Sequence, residues 1–246
     1  MKKFELTNEF VTNSYGAKLF RIKALITLPS VKAGGLGGYI EKEGNLSQYG
    51  NAWVSGDARV SGNARVSDNA RVSGNAWVYG DARVYGDAWV SGDARVSGNA
   101  WVYGDARVYG DARVYGDAWV YGDARVYGNA WVYGDAWVYG DARVYGNAWV
   151  YGDAWVYGDA RVYGDGDYAY AHGFGSVNRT TTFFRLKDGG VGVRCGCFYG
   201  TLPEFRDKVR ETHGESAIAE EYLDLAALME KRFRRTGNEQ KTEEES

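Results

Sequence analysis

One feature limits what this chain can become more than any other: between Asn51 and Gly164 it is written in hexapeptides. The unit (Asn/Asp)-Ala-(Arg/Trp)-Val-(Tyr/Ser)-Gly recurs 19 times without insertion, Asp68 alone taking a glycine's place, and the Ala and Val never vary. Ala and Val stand two apart with Arg or Trp between them, the period-two alternation of a short strand with one buried face. Ala52 and Val54 should point in and Trp53 out. The Gly-Asp or Gly-Asn pair that follows tolerates left-handed backbone angles, so the chain can turn sharply after every strand. A strand this short needs neighbours for its backbone donors and acceptors, and coils stacked at ~4.8 Å supply them. A solenoid results. Small Ala and medium Val fill only a slim bore, which predicts a triangular coil of three hexapeptides in which residues 18 apart stack.

That spacing sorts the outward residues into columns. The first face carries Trp53, Arg71, Trp89, Arg107, Arg125, Arg143 and Arg161; the second carries Arg59, Trp77, Arg95, Arg113, Trp131 and Trp149. On the third, Arg65 and Arg83 are followed by Trp101, Trp119, Trp137 and Trp155, beside a column of Ser67, Tyr85, Tyr103, Tyr121, Tyr139 and Tyr157. These eight Trp and Tyr residues of four successive coils predict a flat aromatic patch. An apolar patch on a rigid prism marks a protein interface, most commonly between copies of one chain. The alternative is drift between Trp and Arg in duplicated units, each indole lying over an Arg or Tyr and needing no partner. The corner aspartates are expected to neutralise most repeat arginines locally. Arg107, Arg125, Arg143 and Arg161 form a candidate anion-binding column, against which stands the net charge of -3. Nucleic acid is a disfavoured partner for the same reason.

An aliphatic residue with a small one four places later, as in Val54 to Ala58 and Val60 to Ala64, resembles the hexapeptide-repeat family of left-handed parallel β-helices. The entrance segment Val31-Lys-Ala-Gly-Gly-Leu-Gly-Gly-Tyr-Ile-Glu-Lys-Glu-Gly-Asn-Leu-Ser-Gln-Tyr-Gly is similar to the YdcK-like, acyltransferase-labelled branch of that family. The resemblance implies an all-β solenoid from a phage, prophage or bacterium. It implies little about chemistry. Residues 1–37 are expected to form an N-terminal β cap from strands around Phe4 to Val11 and Leu19 to Leu28, with the β-helix over 38–167. Gln48 falls where a valine belongs, making the first coil irregular. Residues 168–234 predict a ββαα module: strands Thr180 to Leu186 and Val191 to Cys197, a helix capped by Thr201 with Glu204, and a second from about Ser216 to Arg234. The charged tail 235–246 predicts disorder.

Hexapeptide acyltransferases use a histidine as general base, and their carbonic anhydrase relatives bind zinc through three. This chain has two histidines, His172 and His213, neither in the regular coils. Zinc of that type is excluded on ligand count, and His172 is the one weak catalytic candidate. Cys195 and Cys197 are expected as thiols on one side of a strand, small core residues before they are a metal site or nucleophile. Gly34 to Gly38 matches no phosphate-loop spacing. No cofactor is implied. The N-terminus lacks a signal-peptide run and no stretch approaches a membrane span, so a cytoplasmic protein is expected, in a bacterial host if phage-encoded. The leading expectation is a non-enzymatic scaffold engaging a protein or itself. Alternatives are an acyltransferase, and a binder of a nucleotide or glycan through stacked Trp, Tyr and Arg; an ice-binding solenoid is disfavoured by the lack of threonine columns.

Overall fold

The structure is a computed structural model that describes residues 2–175 and 179–244, with side chains through residue 236. Strands β1 (Phe4–Thr12) and β2 (Lys18–Ala24) form an antiparallel hairpin, and β3 (Leu36–Ile40) pairs antiparallel with β2. Each hexapeptide then gives one two-residue strand, from β4 (Trp53–Val54) to β22 (Arg161–Val162). Strands three units apart pair in parallel: Trp101 faces Trp119 and Val102 faces Val120, the predicted step of 18 residues. Three faces follow. The first is a sheet of seven strands and the third of six, while β1–β3 extend the second to nine.

Backbone hydrogen bonds join each coil to the next, Trp101 N–H donating to Ala118 O at 2.9 Å and Tyr103 N–H to Val120 O at 3.0 Å. Inside, the Ala and Val of every unit are fully buried, each valine contributing about 1.5–3 kcal/mol relative to exposure. The corners require positive φ, and a substituent there meets the coil beyond: at Gly110 (φ 71°) a Cβ would sit 3.1 Å from the Gly128 nitrogen. Asp68 adopts φ 60° in a glycine's place and offsets the strain by accepting a 3.1 Å bond from Gly86 N–H at Oδ2.

The entrance coil is irregular, as Gln48 predicts. Tyr39 faces Arg59 and Leu46 faces Val66, steps of 20 residues where later pairings step 18. Gln48 Oε1 accepts a 2.7 Å bond from Lys3 N–H and so ties β1 to this coil. The Lys3 ammonium, 1% exposed, donates to Ala52 O at 2.8 Å and Tyr49 O at 3.4 Å. Trp53 departs from the outward assignment: it is buried, within a cluster that includes Phe4, Ile22 and Leu28, because the cap folds over the first coil.

Past β22, β23 (Tyr168–Phe174), β24 (Arg179–Arg185), β25 (Val191–Cys195) and β26 (Phe198–Thr201) make one antiparallel sheet, followed by α1 (Leu202–His213) and α2 (Ala217–Glu244). Two of these four strands, β24 and β25, are the ones predicted; β23 and β26 flank them because an isolated hairpin would leave both edges unpaired. The Thr201–Glu204 capping box opens α1 as expected. Phe184, Leu186 and Tyr168 close the bore of the last coil, and the remaining apolar face packs on the helices as a second core that includes Phe183, Phe205, Tyr222 and Phe233. Arg185 locks the two together: Nε donates to Asp167 Oδ1 at 3.2 Å and Nη2 to Phe233 O at 2.8 Å. Helix α2 continues past Arg235 to Glu244, where the charged composition predicts disorder; Glu, Gln and Lys are good helix formers and can prolong a helix without packing. The cysteines are not both core residues. Cys195 is buried at the end of β25, whereas Gly196 turns the chain at φ 59° and leaves Cys197 exposed.

Replacing Gly110 by Ala should lower stability by about 1–2 kcal/mol, read from the thermal or denaturant midpoint, since it combines left-handed strain with a tight contact to the next coil. Burial pulls the Lys3 ammonium down to about 8, against ~10.4 for a free lysine. Between those values the unfolded chain holds more protons than the folded one, so stability rises with pH. Burial also holds Tyr121 and Tyr168 above the usual tyrosine range; above pH ~10 the folded chain keeps protons that the unfolded chain loses, and stability falls. Unfolding midpoints measured from pH 7 to 11 should climb from about pH 8 by on the order of 1 kcal/mol and then turn down. In Lys3→Met the climb should disappear and the downturn remain.

Candidate functional site

The 18-residue step brings the eight predicted third-face residues together, and it sets how they meet. Trp101, Trp119, Trp137 and Trp155 form one continuous stack with ring centroids 4.8, 4.9 and 4.9 Å apart and planes within 7° of parallel. Alongside it Tyr85, Tyr103, Tyr121, Tyr139 and Tyr157 stack at 4.2 to 4.9 Å. The two ladders meet edge to face, Tyr103 against Trp119 at 6.0 Å and 78°, Tyr121 against Trp137 at 6.1 Å and 78°. Coil spacing is the cause: ~4.8 Å between strands falls inside the range that offset aromatic stacking prefers. Each ring covers its neighbours' faces, so this surface presents a row of ring edges, not the flat patch that the columns alone predict.

The stack ends are covered as well. The Arg83 guanidinium lies over Trp101 at 4.7 Å, Arg194 of β25 lies over Trp155 at 4.8 Å, and Tyr199 of β26 stands edge-on to Tyr157 at 4.4 Å. Arg83 was legible as the residue one coil above Trp101. Arg194 and Tyr199 were not, since they lie in the terminal module and share no register with the repeat. The second face repeats the scheme on a smaller scale: Arg113 covers Trp131 at 4.6 Å, Trp131 stacks on Trp149 at 4.8 Å, and Trp77 lies between Arg59 and Arg95.

On the first face Arg107, Arg125, Arg143 and Arg161 stand in register one coil apart. Among the described residues none of them, and no other repeat arginine, forms an ion pair with a corner aspartate, contrary to the expected local neutralisation. Three of the aspartates accept bonds along the corner columns, from Asn63 Nδ2 to Asp81 Oδ1 at 3.1 Å, Asn75 Nδ2 to Asp93 Oδ1 at 3.0 Å and Asn99 Nδ2 to Asp117 Oδ1 at 2.9 Å. Arg161 instead donates from Nη1 to the backbone carbonyls of Asp141 and Asp159, both at 3.0 Å. The other three border the Tyr109–Tyr127–Tyr145 stack, whose rings are 4.9 and 5.0 Å apart. Burial and the neighbouring Tyr127 push the Tyr109 hydroxyl up, against the pull of Arg125, Arg143 and Arg107.

His172 projects from β23 into solvent, its Nδ1 2.9 Å from Thr180 Oγ1 and 3.9 Å from Asp153. His213 stacks on Tyr222 in the helical module. Burial, then the adjacent Cys195, pushes the Tyr222 hydroxyl up to about 12. Cys195 accepts a 3.2 Å hydrogen bond from Thr181 Oγ1. Among the described residues no group of three or more His, Cys, Asp or Glu is arranged to hold a metal ion, and no helix is long and apolar enough to cross a membrane.

The family model described as YdcK beta solenoid repeat matches ten stretches, the first at 52–67 and the last at 142–158. The coils are YdcK-type β-solenoid repeats. No curated protein matches the chain. The YdcK-type coils explain the prism on which the Trp, Tyr and Arg columns stand, while the repeat pattern itself leaves open which of Arg and Trp occupies each outward position.

Within these coils, Trp137→Ala removes a ring stacked on both sides and touched edge-on by Tyr121, and should lower stability by about 2–4 kcal/mol. Trp89, 41% exposed and held by a 3.1 Å bond from its indole N–H to Ser73 Oγ, has no stacked ring neighbour among the described residues. Trp89→Ala should cost about half as much or less by the same chemical-denaturation measurement. Equal losses at the two positions would remove the ladder as a source of stability.

Proposed function

We propose that the solenoid is a non-enzymatic scaffold and binding module that engages a protein surface, another copy of this chain being the first case, through its third face. The observation that carries this is the ordered array of Trp101, Trp119, Trp137 and Trp155 beside Tyr103, Tyr121, Tyr139 and Tyr157. Large aromatic side chains dominate the energetics of protein interfaces, and they contribute most where ordering them costs no further entropy. Here stacking has already fixed the rings, so a partner meets a pre-formed ribbed surface in which its apolar side chains can seat between ring edges. A symmetric pairing of two third faces would let the ribs of one copy enter the furrows of the other.

A runner-up reading is an acyltransferase of the hexapeptide-repeat type with His172 as general base. The Asp153 and Thr180 neighbours give that imidazole a hydrogen-bonding environment, yet the ring stands in solvent, where nothing excludes water from a reacting centre. Sustained consumption of acetyl-CoA with an amine or hydroxyl acceptor, lost in His172→Ala, would favour it over the scaffold.

The scaffold reading predicts that the purified chain has a solution mass above the 27.2 kDa of one copy, or is captured by a stable protein partner. The Trp119→Arg, Trp137→Arg double variant keeps the repeat's own alphabet and should still fold. It should sediment as a single copy and lose the partner. An unchanged assembly in that variant would move the interface off the third face.

A further inference from the structure

The tyrosine ladder of the third face is closed at one end and open at the other. Tyr199 stands against its last ring, Tyr157. At its first ring, Tyr85, the next two coils up offer only small residues: Ser67 lies one coil above, and Ser47, whose N–H donates to Val66 O at 2.9 Å, lies above Ser67. The missing rings leave a recess of about 610 Å³, bounded by Ser47, Arg65, Ser67, Arg83, Tyr85 and Trp101 together with Val66 and Gly44. Its walls carry two guanidiniums and no carboxylate. Arg65 and Arg83 face each other in register, both are exposed, and neither forms an ion pair with any described residue. Asp68, the acidic group that acts on Tyr85, is committed to Gly86 N–H.

We propose that this recess binds a small planar aromatic molecule bearing a phosphate or carboxylate, which enters as the next rung of the ladder. Its ring would stack on Tyr85 one coil step up, the offset that every lower pair in the column keeps. In the lower coils each tyrosine sets its edge against a tryptophan of the coil below; at the level of Ser67 that neighbour is Arg83, whose guanidinium already lies over Trp101 at 4.7 Å. The incoming ring therefore meets a cation where a bound tyrosine would meet an indole, and its anionic substituent falls between Arg83 and Arg65, which can hold it in forked hydrogen bonds. Tyr109 and Tyr115 also begin their stacks beneath serines, Ser91 and Ser97. The third face differs in its upper wall, because the irregular entrance coil brings Gly44 and Ser47 over the step and turns it into a recess. The site shares Trp101 with the four-tryptophan stretch, but Tyr85, Arg65 and Arg83, the groups that would hold the ligand, lie above it, so the site can fail without touching the assembly reading.

Calorimetric titration of the full chain with adenosine 5′-monophosphate and with 2-naphthoate tests the phosphate and carboxylate forms separately. At least one should bind with Kd below about 1 mM. Adenosine and ribose 5-phosphate, which lack the anion and the ring respectively, should each bind at least about tenfold more weakly than the nucleotide when the nucleotide binds. Ser67→Tyr supplies the missing ring from the chain itself; it should keep or raise the thermal midpoint and weaken ligand binding about tenfold or more. Ser91→Tyr, the same change on the first face, should leave binding as it is. No heat from either anion up to about 1 mM, adenosine binding as tightly as its monophosphate, or full binding by a folded Ser67→Tyr variant would each overturn the proposal.

Discussion

The hydrogen bond from one coil to the next fixes nearly everything else in this molecule. Because a strand of two residues pairs only with the strands 18 residues away, the backbone ladder sets a pitch of ~4.8 Å and applies it to every side chain at once. Inside, the pitch packs identical Ala and Val layers. At the corners it brings each glycine within contact distance of the next, which is why a side chain at those places is strained and crowded. Outside, it places like residues over like, and the consequences depend on chemistry: aromatic rings gain from a separation near 4.8 Å, whereas guanidiniums at that distance repel.

That difference accounts for the pattern of Arg and Trp. Stacked Trp residues stabilise one another, so a run of four on the third face costs nothing electrostatically. The repeat arginines do not end up paired with corner acids; where a corner Asn stands above an Asp the two bond along the column, as Asn63 and Asp81 do, and several guanidiniums take an indole face instead, as Arg83, Arg113 and Arg59 do. A cation over a ring gains roughly as much as an exposed ion pair and needs no aspartate to leave its ladder. On the first face Arg107 to Arg161 set four guanidiniums in line, and the corner aspartates Asp87 to Asp159 repeat at the same step of 18 residues. There the bordering tyrosine stack and the carbonyls that hold Arg161 do the screening.

The repeat made the coil length, the three faces and the third-face columns legible, because invariant Ala and Val at a fixed spacing admit only one inward set. It could not reveal the ring geometry. Period alone says that Trp119 lies over Trp101, but whether the rings lie flat on the prism or stand on edge depends on rotamers set by neighbouring columns. The ends were harder still. Trp53 obeys the outward rule and is nevertheless buried, since the cap that covers it is specified by residues outside the period. Arg194 and Tyr199, which close the ladders, come from a sheet whose outer strands β23 and β26 carry no repeat signal. Cys197 escaped the core because a single glycine, Gly196, ends the strand at Cys195, two residues earlier than the alternation suggests.

A periodic surface has a further property that an ordinary globule lacks: what one rung does, all like rungs do, so any site must arise where the period breaks. On the third face the breaks are few and all near the ends. At the lower end the terminal module seals both ladders with Arg194 and Tyr199. At the upper end the two extra residues of the entrance coil, the serines at 47 and 67 and the two unpaired arginines coincide on one face, leaving the first tyrosine ring without a neighbour. Along the middle the ladders are complete and rigid, suited to a large surface that must register with them over several coils. The chain thus separates an extended contact face from a local recess by one device, the presence or absence of a ring at each step.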